Sequence, residues 1–195
     1  MRIISIVGLK DTGKTSLTNK IISELTNRDY KVASIKHSHH EMMMDREGTD
    51  TWKQMESGSD FVVGIGSRTF FNINESIPLE RVLFLVKMMC DPDFLVIEGF
   101  KNYHYAKIVT SPELEDDYTI ASVNSFEITD EELLDLVTLV EEKSSDIIDT
   151  LFVKDCGYND ASVIAKAFVR GDLKYNPDTP ADVSLAIDGI NIGLN

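Results

Sequence analysis

The run Ile3-Ile4-Ser5-Ile6-Val7 passes directly into Gly8-Leu9-Lys10-Asp11-Thr12-Gly13-Lys14-Thr15, so a short apolar strand is followed at once by a complete G-x-x-x-x-G-K-T. Each fixed residue has a physical job. The glycines let the turn pass close to phosphate oxygens, successive backbone N–H groups point inward, the lysine ammonium reaches the β- and γ-phosphates, and the threonine hydroxyl can ligate Mg²⁺. With glycine at about 7% of average residues, the four fixed positions recur by chance in on the order of one chain in a hundred, so the flanks matter. Here a strand precedes the loop, and Leu17, Ile21, Ile22 and Leu25 follow at helical spacing. Gly8, Lys10, Asp11, Thr12, Gly13, Lys14, Thr15 and Ser16 are therefore expected to surround the phosphates of a nucleoside triphosphate. The competing reading is a glycine turn with no ligand.

Strands and helices continue to alternate. Lys31 to Lys36 reads as a second strand. Thr49 or Asp50 can cap a short helix over 51–56, which Gly58 ends, and two short strands, 61–65 and 69–73, are parted by Gly66-Ser67. A helix over 79–90 leads to Asp93-Phe94-Leu95-Val96-Ile97, an apolar strand of the kind buried on both faces. Two further strand candidates, 106–110 and 118–123, precede Thr129-Asp130-Glu131-Glu132, a capping-box opening for a helix carrying Leu133, Leu134, Val137, Leu139 and Val140. The expected fold class is α/β of the P-loop NTPase type, a mostly parallel sheet flanked by helices. Residues 1–144 form the nucleotide-binding domain in this reading. Residues 145–195 form a small acidic α+β appendage, with a helix over 161–169 and a hairpin turning at Asp188-Gly189.

Charge is unevenly placed along the chain. Residues 1–110 balance fourteen acids against fourteen bases, so the whole net charge of −14 falls in residues 111–195. An acidic surface argues against nucleic acid as a partner, since phosphate neutralisation needs the opposite sign. No apolar run approaches the ~20 residues of a membrane span, and the chain starts with a strand where a signal peptide would have an apolar helix. A soluble cytoplasmic protein is expected, with Cys90 and Cys156 as reduced thiols.

In an open parallel sheet, ligands bind beyond the carboxyl ends of the strands. Three such ends carry suitable chemistry: the loop Gly8 to Thr15, the segment Lys36-His37-Ser38-His39-His40, and Glu98-Gly99-Phe100-Lys101. Glu98 follows Phe94 to Ile97 in the position of a Walker-B acid, which holds Mg²⁺ or activates water. Glu98 and Lys14 are thus the expected catalytic pair, and Thr15 and Glu98 the expected metal ligands. Lys36, His37, His39 and His40 can add positive charge around phosphates, or form a solvated polar loop. Zinc is a further alternative for the histidines, although a closed site needs more ligands than they supply. Trp52 and Met42 to Met44 read as packing or a subunit contact.

Taken together, Val7-Gly8 through Leu17, Ile35-Lys36-His37-Ser38-His39-His40, Asp45, Gly48, Asp50-Thr51 and Val96-Ile97-Glu98-Gly99-Phe100-Lys101 resemble the molybdopterin-guanine dinucleotide biosynthesis protein B family. The resemblance covers residues 1–109. It implies a GTP- and Mg²⁺-binding protein, often a homodimer, with weak intrinsic GTPase activity. Such a protein assists the attachment of GMP to molybdopterin, with a molybdopterin guanylyltransferase or molybdoenzyme chaperones as partners. By the same resemblance, Gly13, Lys14 and Thr15 bind phosphate and Mg²⁺, while His37, His39, Asp45 and Asp50 line the pocket and Glu98 with Lys101 completes it.

The chain departs from related patterns at two points. There is no N-K-x-D for reading guanine, and Asn124 after the 119–123 strand is only a positional candidate. In the appendage, Asp155-Cys156-Gly157-Tyr158, Ala165-Lys166-Ala167 and Arg170-Gly171-Asp172 look like a four-cysteine iron–sulfur module stripped of its ligands, or an unrelated helix and hairpin. Two other functions fit the same fold: a small-molecule kinase whose acceptor binds the 36–50 loop, and a non-enzymatic module whose nucleotide state controls a partner.

Overall fold

The computed structural model describes residues 1–38, 45–146, 166–167, 169–172, 184–187 and 190–193, the last two segments as backbone. Five apolar runs form one parallel sheet: β1 (Arg2–Val7), β2 (Val32–Lys36), β5 (Phe94–Glu98), β6 (Ala106–Val109) and β7 (Thr119–Ser122). Their spatial order is β2-β5-β1-β6-β7. β1, β5 and β6 occupy the interior, and the runs Ile3–Val7 and Phe94–Glu98 are buried at every position. Continuous apolar strands of this kind need cover on both faces. The mostly parallel sheet flanked by helices is the architecture the alternation predicts.

Side chains alternate across a strand, so two rows share each face. Ile4, Ile6, Phe94, Val96, Ala106 and Ile108 form one face and meet Leu17, Ile21 and Leu25 of α1 (Lys14–Asn27) and Leu136, Val137 and Val140 of α4 (Asp130–Lys143). Glu98 continues the Phe94–Val96 row on β5, and its register partners are Ile6 on β1 and Lys36 on β2. The carboxylate therefore emerges on the α1 side of the sheet, at the end where the glycine loop lies. Parity of a period-two strand decides this, and one residue of slip would send it to the other face.

Arg28, just past α1, ties the two core helices together. Its guanidinium donates to Glu24 Oε1 (2.9 Å), Glu141 Oε2 (2.7 Å), Thr138 Oγ1 (3.1 Å) and the Leu134 carbonyl (3.0 Å). The Glu24 hydrogen bond, opposed by burial and assisted by Glu141, holds its pKa above the ordinary arginine value. Arg28→Ala is expected to lower the unfolding free energy by about 2 kcal/mol in a urea titration, since charged hydrogen bonds in a half-buried network are lost. Nucleotide affinity should stay within twofold; an unchanged midpoint would show the network to be idle.

The chain divides into two compact units, residues 1–37 with 90–195, and residues 38–89. The second holds α2 (Asp50–Glu56), β3 (Phe61–Ile65), β4 (Thr69–Ile73) and nearly all of α3 (Leu79–Cys90). Thr49 caps α2, its hydroxyl accepting from Trp52 N. β3 and β4 pair only with each other and antiparallel, outside the main sheet. Three intervening residues close a hairpin but are too few for a parallel crossover.

Ser145 and Asp146 are buried: the Ser145 carbonyl accepts from Ile3 N (3.2 Å), and Asp146 pairs with the Met1 amino group. Lys166 pairs with Asp117, and Val169 packs against the core of the first unit. The strands β8 (Ser184–Ile187) and β9 (Ile190–Gly193) pair antiparallel, and the expected turn residues Asp188 and Gly189 lie outside the described residues. Segment 155–158 and most of the expected 161–169 helix lie outside the described residues. Among the described residues, no helix is long and apolar enough to cross a membrane.

Candidate functional site: the phosphate-loop cavity

The loop between β1 and α1 is built to leave its donors open. Gly13 is the N-cap of α1, with φ 73°, and supplies no side-chain cap; the first turn holds no acid. Leu17 N already donates to the Gly13 carbonyl (3.0 Å), so the N–H groups of the preceding residues have no intrahelical acceptor. An uncapped, acid-free helix start is an anion site. α4 shows the opposite arrangement: Thr129 and Glu132 form a complete capping box, and Asp130 and Glu131 add two further acids to the first turn. The Thr129 backbone and hydroxyl hydrogen bonds hold the Glu132 carboxyl below the usual carboxylate range.

Glycine is required at both ends of the loop. At Gly13 the left-handed φ disfavours any side chain, and a Cβ would overlap Ser125 Oγ; at Gly8 it would overlap the Thr110 hydroxyl. Those neighbours are the loop's supports. Thr12 Oγ1 lies 2.7 Å from Thr110 Oγ1 and donates to the Leu9 carbonyl (2.9 Å), Leu9 N donates to Ser111 Oγ (2.9 Å), and Ser125 Oγ donates to the Thr12 carbonyl (2.5 Å). Thr110, Ser111 and Ser125 were absent from the sequence-based set. The available signal was their place just beyond the carboxyl ends of β6 and β7.

Beside the loop, Thr15, Lys36 and Glu98 converge. Thr15 Oγ1 donates to Glu98 Oε1 (2.9 Å), and Lys36 Nζ lies 2.9 Å from the same carboxylate oxygen and 3.2 Å from Thr15 Oγ1. Glu98 is 8% exposed. Its buried charge is balanced by the Lys36 ammonium, as a nearly desolvated carboxylate requires. Lys14 Nζ donates to the Leu9 carbonyl, which keeps the ammonium folded over the loop's own backbone. The residues Lys10 to Ser16, Glu98 and Phe126 line a cavity of about 490 Å³. A larger one of about 560 Å³, lined by Lys53, Gln54, Phe61 and Val63 among others, lies in the second unit and has no phosphate-binding motif.

A magnesium ion fits this donor set. The Thr15 hydroxyl and Glu98 carboxylate are hard oxygens 2.9 Å apart, and Mg²⁺ in nucleotide sites typically takes one or two protein oxygens plus phosphates and water. Among the described residues no cluster of three or more His, Cys, Asp and Glu is placed to hold a metal.

The other expected site residues divide. His37 N donates to the Glu98 carbonyl (2.9 Å), and the His37 ring lies 4.4 Å from that of Phe100. Gly99 and Phe100 both have positive φ and turn the chain sharply after β5. The Lys101 carbonyl accepts from Lys107 Nζ (3.0 Å), a buried ammonium that also pairs with Asp116 (2.7 Å). Asp45 and Asp50 belong to the second unit and are engaged locally. Asp45 Oδ1 accepts from Arg46 N (2.8 Å) and Thr49 Oγ1 (2.9 Å), while Asp50 pairs with Lys53 at 3.6 Å. Burial raises the Asp45 pKa, but hydrogen bonds from Thr49, Thr51 and Arg46 outweigh it and hold the carboxyl below its ordinary value. His39 and His40 lie outside the described residues. Asn124 Oδ1 accepts from Phe126 N (3.2 Å).

Comparison with known proteins bears on the same residues. The family model described as molybdopterin guanine dinucleotide synthesis protein B matches residues 3–138, a span that contains the glycine loop, Lys36, Glu98 and the loop after β7. The chain is 30% identical over 200 residues to a putative molybdopterin-guanine dinucleotide biosynthesis adapter protein of Methanocaldococcus jannaschii, covering 97% of this chain and 82% of that one. It is 33% identical over 144 residues to the molybdopterin-guanine dinucleotide biosynthesis adapter protein of Haemophilus influenzae, covering 69% and 81%. A crystal structure of Bacillus subtilis MobB aligns with 56% of this chain and 67% of its own at 26% identity and a TM-score of 0.49. The family match ends before the appendage, and the iron–sulfur-like reading of residues 155–172 finds no support in these matches.

Proposed function

The chain belongs to the molybdopterin guanine dinucleotide synthesis protein B (MobB) family, and we propose that it is the GTP- and Mg²⁺-binding adapter that assists attachment of GMP to molybdopterin. The observation that carries this reading is the open loop Gly8–Thr15 facing a buried carboxylate, with Thr15 Oγ1 and Lys36 Nζ both on Glu98 Oε1. In this reading the loop N–H groups and Lys14 hold the phosphates, and Thr15 and Glu98 hold the ion. When bound, the ion would neutralise charge on the β- and γ-phosphates. Glu98 would also orient the attacking water and accept its proton at a carboxylate oxygen. No second substrate is needed, so a weak GTPase is the expected activity.

The proposed partners are a molybdopterin guanylyltransferase or molybdoenzyme chaperones. A homodimer is part of the same proposal. Phe61, Val63, Ile65 and Phe71 leave one side of the β3–β4 hairpin apolar and exposed, Ile65 at 83%, and apolar patches of this kind mark association surfaces. The direct test adds the purified protein to a molybdopterin guanylyltransferase reaction and follows the pterin dinucleotide product. Stimulation that requires GTP and Mg²⁺ is the expected result. Equal product with and without the protein would end the adapter reading, and phosphoryl transfer to a small-molecule acceptor would replace it with a kinase.

A further inference from the structure

Phe126 is a large apolar side chain left 72% exposed, and it stands at the wall of the phosphate-loop cavity. The remaining lining is Lys10 to Ser16 and Glu98, residues that suit phosphates and a cation but offer no flat apolar surface. We propose that the Phe126 ring is the platform on which the base of the bound nucleotide stacks. The inference rests on the phosphate-loop reading above and extends it to the part of the ligand that loop cannot hold.

Three features show that the ring is positioned and not merely adrift on the surface. Ser125, 4% exposed, donates to the Thr12 carbonyl at 2.5 Å, which couples the loop after β7 to the phosphate loop itself. Asn124 Oδ1 accepts from Phe126 N (3.2 Å), Glu127 N donates to the Asn124 carbonyl (3.1 Å), and Val123 N donates to the Val109 carbonyl (2.9 Å), closing a tight turn. The ring edge lies beside Gly13, where a Cβ would come within 3.2 Å of two ring carbons. It thus flanks the first turn of α1, while Thr15, Lys36 and Glu98 converge on the β5 side. A nucleotide whose phosphates lie on the loop has its base beyond them, and an exposed aromatic face beside the loop is what a base needs.

Stacking has a chemical signature that separates it from hydrogen-bond readout. Every base has a π-face, so an aromatic platform adds affinity with little regard to base identity. Asn124, two residues past β7, uses its amide oxygen to hold the turn that carries Phe126. Phe126 should accordingly strengthen GTP and ATP alike and contribute nothing to a phosphate chain without a base.

Calorimetry on the full chain with GTP–Mg²⁺, ATP–Mg²⁺ and inorganic tripolyphosphate–Mg²⁺ tests this. Phe126→Ala should weaken both nucleotides by the same factor, on the order of tenfold, and leave tripolyphosphate unchanged; Phe126→Tyr should restore both. A second readout uses the chain's single tryptophan: in a Trp52→Phe background, Phe126→Trp should be quenched by either nucleotide and not by tripolyphosphate. Unchanged nucleotide affinity in Phe126→Ala overturns the proposal. So does an equal loss for tripolyphosphate, which would make the ring a brace for the loop. Lys14→Ala separates the two readings: if it weakens all three ligands while Phe126→Ala weakens none, the phosphate site stands and the platform does not.

Discussion

Glu98→Gln is expected to bind GTP within a few-fold of the native protein and to hydrolyse it more slowly by on the order of 10²–10⁴-fold, the usual cost of losing a positioned acid–base or metal-organising group. The substitution keeps size and one carbonyl oxygen, so the Thr15 hydroxyl at 2.9 Å still has an acceptor. What disappears is the negative charge that balances Lys36 and would anchor the ion. An amide cannot take a proton from water. Single-turnover hydrolysis and equilibrium binding, measured on the same preparation, separate the two effects. Stimulation of guanylylation by a partner transferase should fall with hydrolysis if turnover drives the adapter, and survive if binding alone does. Native hydrolysis in the variant would reduce Glu98 to the buried end of a strand.

Lys14→Ala is expected to remove high-affinity triphosphate binding, a loss on the order of 2 kcal/mol or more, about thirtyfold in Kd. Among the described residues its ammonium donates to the loop carbonyl of Leu9, outside the hydrophobic core. The melting temperature without ligand should therefore be unchanged. The stabilisation that GTP–Mg²⁺ confers on the native protein should largely vanish, because it scales with ligand occupancy. Calorimetry showing native affinity in the variant would remove the phosphate-loop assignment altogether. Arg28→Ala makes the useful contrast, since it should lower stability and leave binding alone.

The phosphate-loop half of the candidate site was legible because its parts are local or periodic. Gly8 to Thr15 is contiguous, and α1 begins at Lys14 because Gly13 is followed by residues at helical spacing. Glu98 could be placed because a five-residue apolar strand with a polar terminus has one ordinary place in a parallel sheet, with the terminus at the ligand end. Lys36 was legible as a strand-end cation, but its contact with Thr15 and Glu98 depends on β2 lying next to β5 in a matched register. The β3–β4 strands were legible as strands; that they stand outside the main sheet was not, since joining that sheet depends on partners distant in sequence.

Strand, glycine loop, helix and the acid that ends an apolar strand were determined by the sequence alone, because backbone sterics, side-chain period and the chemistry of an uncapped helix start act within a dozen residues. The family blocks Val7 to Leu17 and Val96 to Lys101 fall on these same segments. Tertiary structure alone decided what stands around them. Thr110, Ser111, Ser125 and Phe126 belong to unremarkable stretches, and each reaches the phosphate loop only because β6 pairs with β1 and β7 with β6. That strand order is set by which apolar faces bury one another across more than a hundred residues, a balance of non-local contacts that no window of sequence contains.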